Sequence, residues 1–192
     1  VLIHVLTKKG KGYKIAEENP DKFHATSTFD IDTGKSKKEK KLDYSKVFGE
    51  KLIDLAKRNK NIVAVTAAMK DGTGLAKFAK EFPNRFFDMG IAEQNMISTA
   101  AGMATCGKIP YASTFAVFSA GRAYDQIRNS VCYPNLNVKI CATHAGITVG
   151  EDGATHQMLE DINMMRCVPR MAHISSYLYL PTFGVLLHLL RQ

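Results

Sequence analysis

The sequence contains no tryptophan, only four cysteines, and no apolar run long enough to form a membrane-spanning helix. The cysteines are scattered, and no two of them form a C-x-x-C pair: Cys106, Cys132, Cys141 and Cys167. This spacing favours neither a zinc ribbon nor a disulfide framework, because both use cysteines at characteristic short intervals. We therefore expect reduced thiols in a cytoplasm and no membrane partner.

The composition is typical of a globular protein rather than a disordered one. Of the 192 residues, 45% are hydrophobic and 23% are charged, and the net charge is +8. Lysines form two clusters near the front of the chain, namely Lys8, Lys9, Lys11 and Lys14, and then Lys35, Lys37, Lys38, Lys40 and Lys41. Neither cluster is interleaved with stacking aromatic side chains, and arginine is scarce there. A solvated basic linker is thus favoured over a nucleic-acid surface.

The front and the tail of the chain differ from its middle. Residues 1–7 are apolar and predict a buried strand, whereas residues 8–42 are rich in Lys, Gly and Asp and predict a linker or crossover. A parallel strand needs neighbours on both sides, so we expect the chain to be a fragment. The apolar tail, residues 172–192, is either a last strand and helix or foreign sequence, and the pattern does not decide between them.

Helical and strand-like patterns alternate from residue 44 onward. Apolar spacing predicts helices at 44–58, 75–82, 92–106, 119–132 and 158–166, and strands at 62–66, 86–89, 110–115 and 137–143. This alternation predicts an α/β fold, with a doubly wound parallel sheet that has helices on both faces. Ligands bind beyond the carboxyl ends of the strands in such sheets. The loops after Met89, Phe115 and Thr143 are therefore the expected places for a site.

Glu93 stands out in the first of these loops. It follows a short strand and falls in the first turn of an apolar helix, within Gly90–Gln94. One interpretation is structural, since the helix dipole favours an acidic residue in a first turn. The other is chemical, because a carboxylate in apolar surroundings is desolvated and is suited to holding or sharing a proton.

The two later loops carry aromatic and polar side chains. Phe115 and Phe118 are three residues apart, so they belong either to the core or to an apolar slot for a flat heterocycle. The segment His144–Gln157 contains three glycines, two histidines and an acidic pair. Its spacing matches no usual zinc ligand set. Recognition of a polar substrate, with histidine as proton donor, is the favoured interpretation.

Several of these segments occur in the order seen in thiamine-diphosphate enzymes of the transketolase group. Gly90–Gln94, Thr114–Phe118 and Thr143–Gln157 resemble parts of that group's pyrimidine-binding domain, and the resemblance covers roughly residues 1–171. The resemblance implies a transketolase-type pyrimidine-binding domain at 43–171, truncated and followed by the atypical tail. It also implies that residues 1–13 end a diphosphate-binding domain with one strand and that residues 14–42 are a linker.

The front of the chain is similar to one branch of the group. His4–Tyr13, Ala16–Pro20 and Phe23–Ala25 resemble a synthase that condenses pyruvate with glyceraldehyde 3-phosphate to 1-deoxy-D-xylulose 5-phosphate, with loss of carbon dioxide. That product feeds isoprenoid, thiamine and pyridoxal precursors. The later segments Phe115–Arg122 and Thr143–Asp152 resemble the transketolase C-terminal subunit instead. Two alternatives therefore stay open: transfer of a two-carbon ketol group, and a non-catalytic assembly module.

The resemblance also implies roles for individual residues. Glu93 would be catalytic, bonding a ring nitrogen of the aminopyrimidine of thiamine diphosphate. Phe115 and Phe118 would stack on that ring, and His24 would be a catalytic histidine of the linker. His144, Asp152 and His156 would contact the substrate, and His156 would also be catalytic. The group's Mg²⁺ motif begins Gly-Asp-Gly, which this sequence lacks, so the Mg²⁺ ligands are expected in a missing domain. The resemblance further implies a homodimer when full length and a fragment that is inactive alone.

Overall fold

The computed structural model describes residues 1–20, 22–24, 26–37, 43–176 and 184–190. The chain divides into two compact units. The first comprises residues 1–41 together with 150–152, and the second comprises residues 42–149 and 153–192. No helix within the described ranges is long and apolar enough to cross a membrane.

A small aromatic cluster organises the first unit. The rings of Tyr13, Phe23 and Phe29 pack against one another, with centroid distances of 5.1 to 6.0 Å. The Tyr13 hydroxyl donates a hydrogen bond of 2.6 Å to the carbonyl oxygen of Ile31. The short helix α1, Lys14–Glu18, lies in this unit. The region predicted as a linker therefore has a small core of its own.

The strand predicted for residues 1–7 does not form, and this prediction is wrong. Val1, Leu2, Val5 and Leu6 are largely exposed, and no strand of the described residues pairs with this segment. A strand is held by hydrogen bonds to a neighbouring strand. An apolar sequence alone does not make a strand where no neighbour is supplied.

Within the described residues, the second unit contains five α-helices and six strands. The helices are α2 Tyr44–Arg58, α3 Ala76–Glu81, α4 Glu93–Thr105, α5 Tyr124–Gln126 and α6 Asp161–Arg166. The strands are β1 Ile62–Thr66, β2 Phe86–Asp88, β3 Ile109–Ser113, β4 Lys139–Ala145, β5 Met171–Ser176 and β6 Gly184–Leu190. These bounds agree closely with the predicted elements up to residue 113.

The six strands form one sheet in the order β2-β1-β3-β4-β6-β5. The first four strands are parallel, which confirms the predicted doubly wound parallel sheet. Alternate residues of β1 serve opposite faces: Val65 packs in a core with α4, whereas Ile62 and Ala64 pack in a core with α2 and α3. The carboxyl ends of the parallel strands consequently meet at one edge of the sheet.

The tail contains strands where one of its two interpretations predicted a strand followed by a helix; the other interpretation, foreign sequence, stays an open alternative. Gly184–Leu190 is strand β6, which pairs antiparallel with β4 and with β5, so the predicted final helix is wrong for these residues. A strand at the edge of a sheet exposes unpaired backbone groups. β4 is the last of the four parallel strands, and β6 pairs with the backbone groups that β4 would otherwise expose. Residues 177–183 and 191–192 lie outside the described residues.

The helix predicted at 119–132 is also different in detail. Two π-helical turns, Val117–Arg122 and Ile127–Cys132, flank the short helix α5. Their wider hydrogen bonds run from the Ala123 N–H to the Phe118 carbonyl (3.2 Å) and from the Tyr133 N–H to the Arg128 carbonyl (2.9 Å). Such turns are rare in proteins overall, and many of those that do occur lie at functional sites.

Candidate active site

Glu93 is the first residue of α4, so it lies at the positive end of the helix dipole. Its side chain is 1% exposed. The loop from β2 to α4 is held by Asp88, whose carboxylate accepts hydrogen bonds from the backbone N–H groups of Ala68 (2.7 Å) and Gly90 (3.0 Å). Gly90 has a φ of 67°, which glycine adopts without steric cost. The local sequence thus turns the chain and buries the carboxylate at the start of α4.

Arg122 is the ion-pair partner of Glu93. Its Nη1 lies 2.9 Å from both carboxylate oxygens of Glu93. The guanidinium carbon also lies 4.4 Å from the ring centroid of Phe118, a cation–π contact. The sequence pattern does not single out Arg122, because its partner Glu93 lies 29 positions away along the chain.

The predicted aromatic and histidine residues come together in one cluster. The ring of His144 stacks on that of Phe115, with a centroid distance of 3.8 Å. Phe118 lies parallel to Phe115 at 6.1 Å, and His156 meets Phe118 edge-on at 5.3 Å. Since Arg122 joins Phe118 to Glu93, the structure brings five predicted site residues into one neighbourhood of the second unit.

His144 has an unusual backbone for its place in strand β4. Its φ is 58°, in the left-handed region that residues other than glycine rarely occupy. Its Nδ1 lies 2.9 Å from the Thr143 hydroxyl oxygen, and the ring stacks on Phe115. Strained conformations of this kind cluster at functional sites, where the surrounding contacts maintain them.

Gly72 leaves room for the ring of Phe115. A Cβ added at Gly72 would lie 2.9 Å from Cε1 and 3.0 Å from Cζ of that ring. Both distances are well inside the 3.5–4.0 Å of favourable carbon contacts. Glycine at this position is therefore required for the observed placement of Phe115.

His24 and Asp152 belong to the first unit. His24 is exposed, and Asp152 is half-buried in the 3₁₀ segment Gly150–Thr155. The site described in the second unit is built without them, and their roles remain predictions.

Burial makes the interior thiols poor reactive groups. It raises the pKa of Cys132 to about 11 and raises that of Cys141 still further, so both stay protonated near neutral pH. Within the described residues, no group of three or more His, Cys, Asp and Glu side chains could hold a metal ion. The chemical groups that remain at the site are a buried carboxylate, a guanidinium, two imidazoles and two phenyl rings.

This set of groups fits a flat heterocycle with basic ring nitrogens. Phe115 and Phe118 offer ring faces, and the carboxylate of Glu93 offers a partner for a ring nitrogen. An aminopyrimidine has this chemistry. One face of Phe115 is covered by His144, so an incoming ring uses the other face or displaces the imidazole.

Comparison with known proteins gives consistent matches. The family model described as "Transketolase, pyrimidine binding domain" matches residues 40–191. A 1-deoxy-D-xylulose-5-phosphate synthase of Clostridium tetani is 53% identical over 171 residues, covering 89% of this chain and 27% of the synthase. A split-gene transketolase, described as an inactive beta4 tetramer, is 55% identical with a TM-score of 0.56, covering 64% of this chain and 39% of that one.

A more distant solved structure is similar as well. Transketolase from Campylobacter jejuni is 25% identical, with a TM-score of 0.59 over 66% of this chain and 20% of that one. The chain spans about a quarter of the length of the curated relatives it matches.

Proposed function

The chain belongs to the family of transketolase pyrimidine-binding domains, and from this premise we propose that it forms one half of a thiamine-diphosphate active site. The proposed reaction joins pyruvate to glyceraldehyde 3-phosphate, with loss of carbon dioxide, to give 1-deoxy-D-xylulose 5-phosphate. Its support is the 53% identity to a synthase of that name over 89% of the chain. The product would serve isoprenoid and thiamine biosynthesis.

The observation that carries the proposal is the burial of Glu93 beside the aromatic cluster. When bound, thiamine diphosphate supplies the carbanion chemistry that amino-acid side chains lack. Glu93 holds a proton at a ring nitrogen of the pyrimidine, because its carboxylate is shielded from water and lies at the start of α4. Phe115, with Phe118, supplies the apolar faces that orient the ring.

The histidines of the cluster are proposed to handle the substrates. His144 and His156 contact phosphate, hydroxyl or carbonyl groups, and His156 also moves a proton. Asp152 is also proposed to contact substrate, and the linker residue His24 is proposed to be catalytic. All four can form hydrogen bonds with a polar sugar phosphate, and the histidines change protonation near neutral pH.

The diphosphate and Mg²⁺ are proposed to be held by a separate domain. Residues 1–13 would be the end of that domain, and residues 14–42 would link it to the pyrimidine-binding domain. The proposal includes a homodimer and a cytoplasmic location, the latter because all four cysteines are free thiols. By itself, the chain is expected to be inactive.

Transfer of a two-carbon ketol group is the second candidate. It is supported by the 55% identity to the split-gene transketolase and by the similarity of Thr143–Asp152 to that subunit. A non-catalytic assembly module is the third, because the same relative is described as an inactive tetramer.

The experiment that separates the candidates is a comparison of substrates. The intact enzyme, in which this chain works with its diphosphate-binding domain, is supplied either with pyruvate and glyceraldehyde 3-phosphate, or with xylulose 5-phosphate as ketol donor and ribose 5-phosphate as acceptor, since ketol transfer to glyceraldehyde 3-phosphate would only regenerate the donor. The proposal expects carbon dioxide release and 1-deoxy-D-xylulose 5-phosphate from pyruvate. Product from xylulose 5-phosphate but not from pyruvate would establish ketol transfer. If neither donor gave a product, the result would favour the assembly module.

A further inference from the structure

The side chains of the ion pair Glu93–Arg122 differ strongly in their exposure to solvent. The Glu93 side chain is 1% exposed, whereas that of Arg122 is 43% exposed. A carboxylate so deeply buried is costly without a counter-charge. A guanidinium is permanently charged and well suited to pair with it. Arg122 therefore compensates the Glu93 charge from the solvent side of the site.

Arg122 is itself fixed at two points. It closes the π-helical turn Val117–Arg122, and its guanidinium rests on the Phe118 ring at 4.4 Å. The widened turn is marked by the hydrogen bond from the Ala123 N–H to the Phe118 carbonyl. A cation held by an aromatic face and by a carboxylate loses most of its freedom, so it also restricts the carboxylate.

The pair leaves Glu93 able to form another bond. Nη1 is 2.9 Å from Oε1 and 2.9 Å from Oε2. The two oxygens of a carboxylate together accept about four hydrogen bonds. Each oxygen therefore keeps accepting capacity for a nitrogen of a bound heterocycle while Arg122 stays in place.

We propose that Arg122 is a positioning residue for Glu93: it compensates the buried carboxylate and aims it at the ring nitrogen of the cofactor. This inference rests on the proposed thiamine-diphosphate site, but not on which substrates the enzyme uses. In this role Arg122 acts on the reacting atoms through Glu93, which it contacts directly.

The test measures exchange of the cofactor's C2 hydrogen for deuterium in the intact holoenzyme, with no substrate present. The variants are Arg122→Met, Arg122→Lys and Glu93→Gln, with Arg128→Met as the matched control, because Arg128 is an exposed arginine on the second π-helical turn. We expect Arg122→Met to slow exchange at least tenfold, Arg122→Lys to recover part of the rate, and Arg128→Met to leave it unchanged. The loss of a positioned proton-transfer group is worth about a hundredfold or more.

The double variant Glu93→Gln/Arg122→Met tests whether Arg122 acts through Glu93. If it does, Arg122→Met slows exchange no further once Gln occupies position 93. Independent, multiplicative losses would overturn the proposal, as would an exchange rate for Arg122→Met within twofold of wild type. If the wild-type holoenzyme gave no enhanced exchange, the proposed function and this inference would both fail. A normal wild-type rate with an unaffected Arg122→Met would overturn this inference alone.

Thermal unfolding without cofactor supplies a readout independent of the loaded enzyme. Arg122→Met leaves a buried carboxylate uncompensated, so its unfolding midpoint should fall below that of the double variant, in which position 93 is a neutral amide. Equal midpoints would contradict charge compensation. If Arg122→Met did not fold, recovery of the fold in the double variant would support the proposal, and its absence would overturn it.

Discussion

The replacement Gly72→Ala tests whether Phe115, the ring proposed to stack on the cofactor, needs a glycine beside it to keep its position. The new Cβ would lie 2.9 and 3.0 Å from two carbons of the Phe115 ring, so the ring must retreat by about 0.5–1 Å to reach ordinary contact. Overpacking of this kind costs about 1–3 kcal/mol of unfolding free energy. A misplacement of about 1 Å near a reacting centre can cost about a hundredfold in rate.

We expect Gly72→Ala to weaken cofactor binding and lower turnover of the intact enzyme by about tenfold to a hundredfold. Calorimetry measures the affinity, and chemical denaturation measures the stability. The control is Gly102→Ala in α4, where an added Cβ meets nothing within 4 Å. That control should gain about 0.5–1 kcal/mol of stability and keep its activity, because alanine is the better helix former. Wild-type affinity and turnover in Gly72→Ala would show that cofactor binding does not depend on the placement of the Phe115 ring beside Gly72.

Three further changes probe other contacts. Gly49→Ala should destabilise the domain by about 1–3 kcal/mol in denaturant titrations, because its Cβ would collide with the Gly74 carbonyl oxygen; unchanged stability would contradict that close approach. Burial raises the pKa of Asp161, so its ionisation costs stability as pH rises, and Asp161→Asn should raise the unfolding midpoint at pH 7. That gain should vanish below about pH 3.9, where the carboxyl is protonated in both states, and a gain independent of pH would exclude this cause. In the intact enzyme, His144→Arg should lower the KM for glyceraldehyde 3-phosphate, since arginine grips phosphate bidentately; an unchanged KM would remove His144 from the phosphate site.

The elements that could be predicted from sequence have strong local patterns. The buried run Ile62–Thr66 forms β1, and the helix predicted at 44–58 is α2 with the same bounds. The Asp43 carboxylate caps α2 by accepting the Lys46 N–H at 2.7 Å. The stated resemblance to the transketolase group is confirmed by the family match over residues 40–191.

The site was partly predictable because it sits at the ends of parallel strands. Phe115 follows β3, Thr143 lies near the end of the neighbouring strand β4, and the two residues pair in an isolated parallel bridge. This register brings His144 to the Phe115 ring, at the carboxyl ends of the strands where a site is expected in such sheets. Chain order and strand order together were enough to bring these loops to one edge.

The features that could not be predicted depend on partners distant in sequence. Arg122 reaches Glu93 across 29 positions, by way of π-helical turns that have no propensity signal. Residues 184–190 pair with β4 although their apolar run is equally compatible with a helix. Residues 1–7 have a strand-like pattern and no strand beside them in the described chain. In each case a contact elsewhere, or its absence, outweighs the local pattern.

We have proposed Glu93 as the proton-holding carboxylate of a thiamine-diphosphate site. The most direct test of this proposal is turnover of the intact Glu93→Gln enzyme with pyruvate and glyceraldehyde 3-phosphate at saturating cofactor. Glutamine keeps the size of the side chain and still accepts a hydrogen bond, but it cannot share a proton with a ring nitrogen. We expect the variant to be a folded enzyme whose kcat is lower by about a hundredfold or more. A kcat within a few-fold of wild type would contradict it.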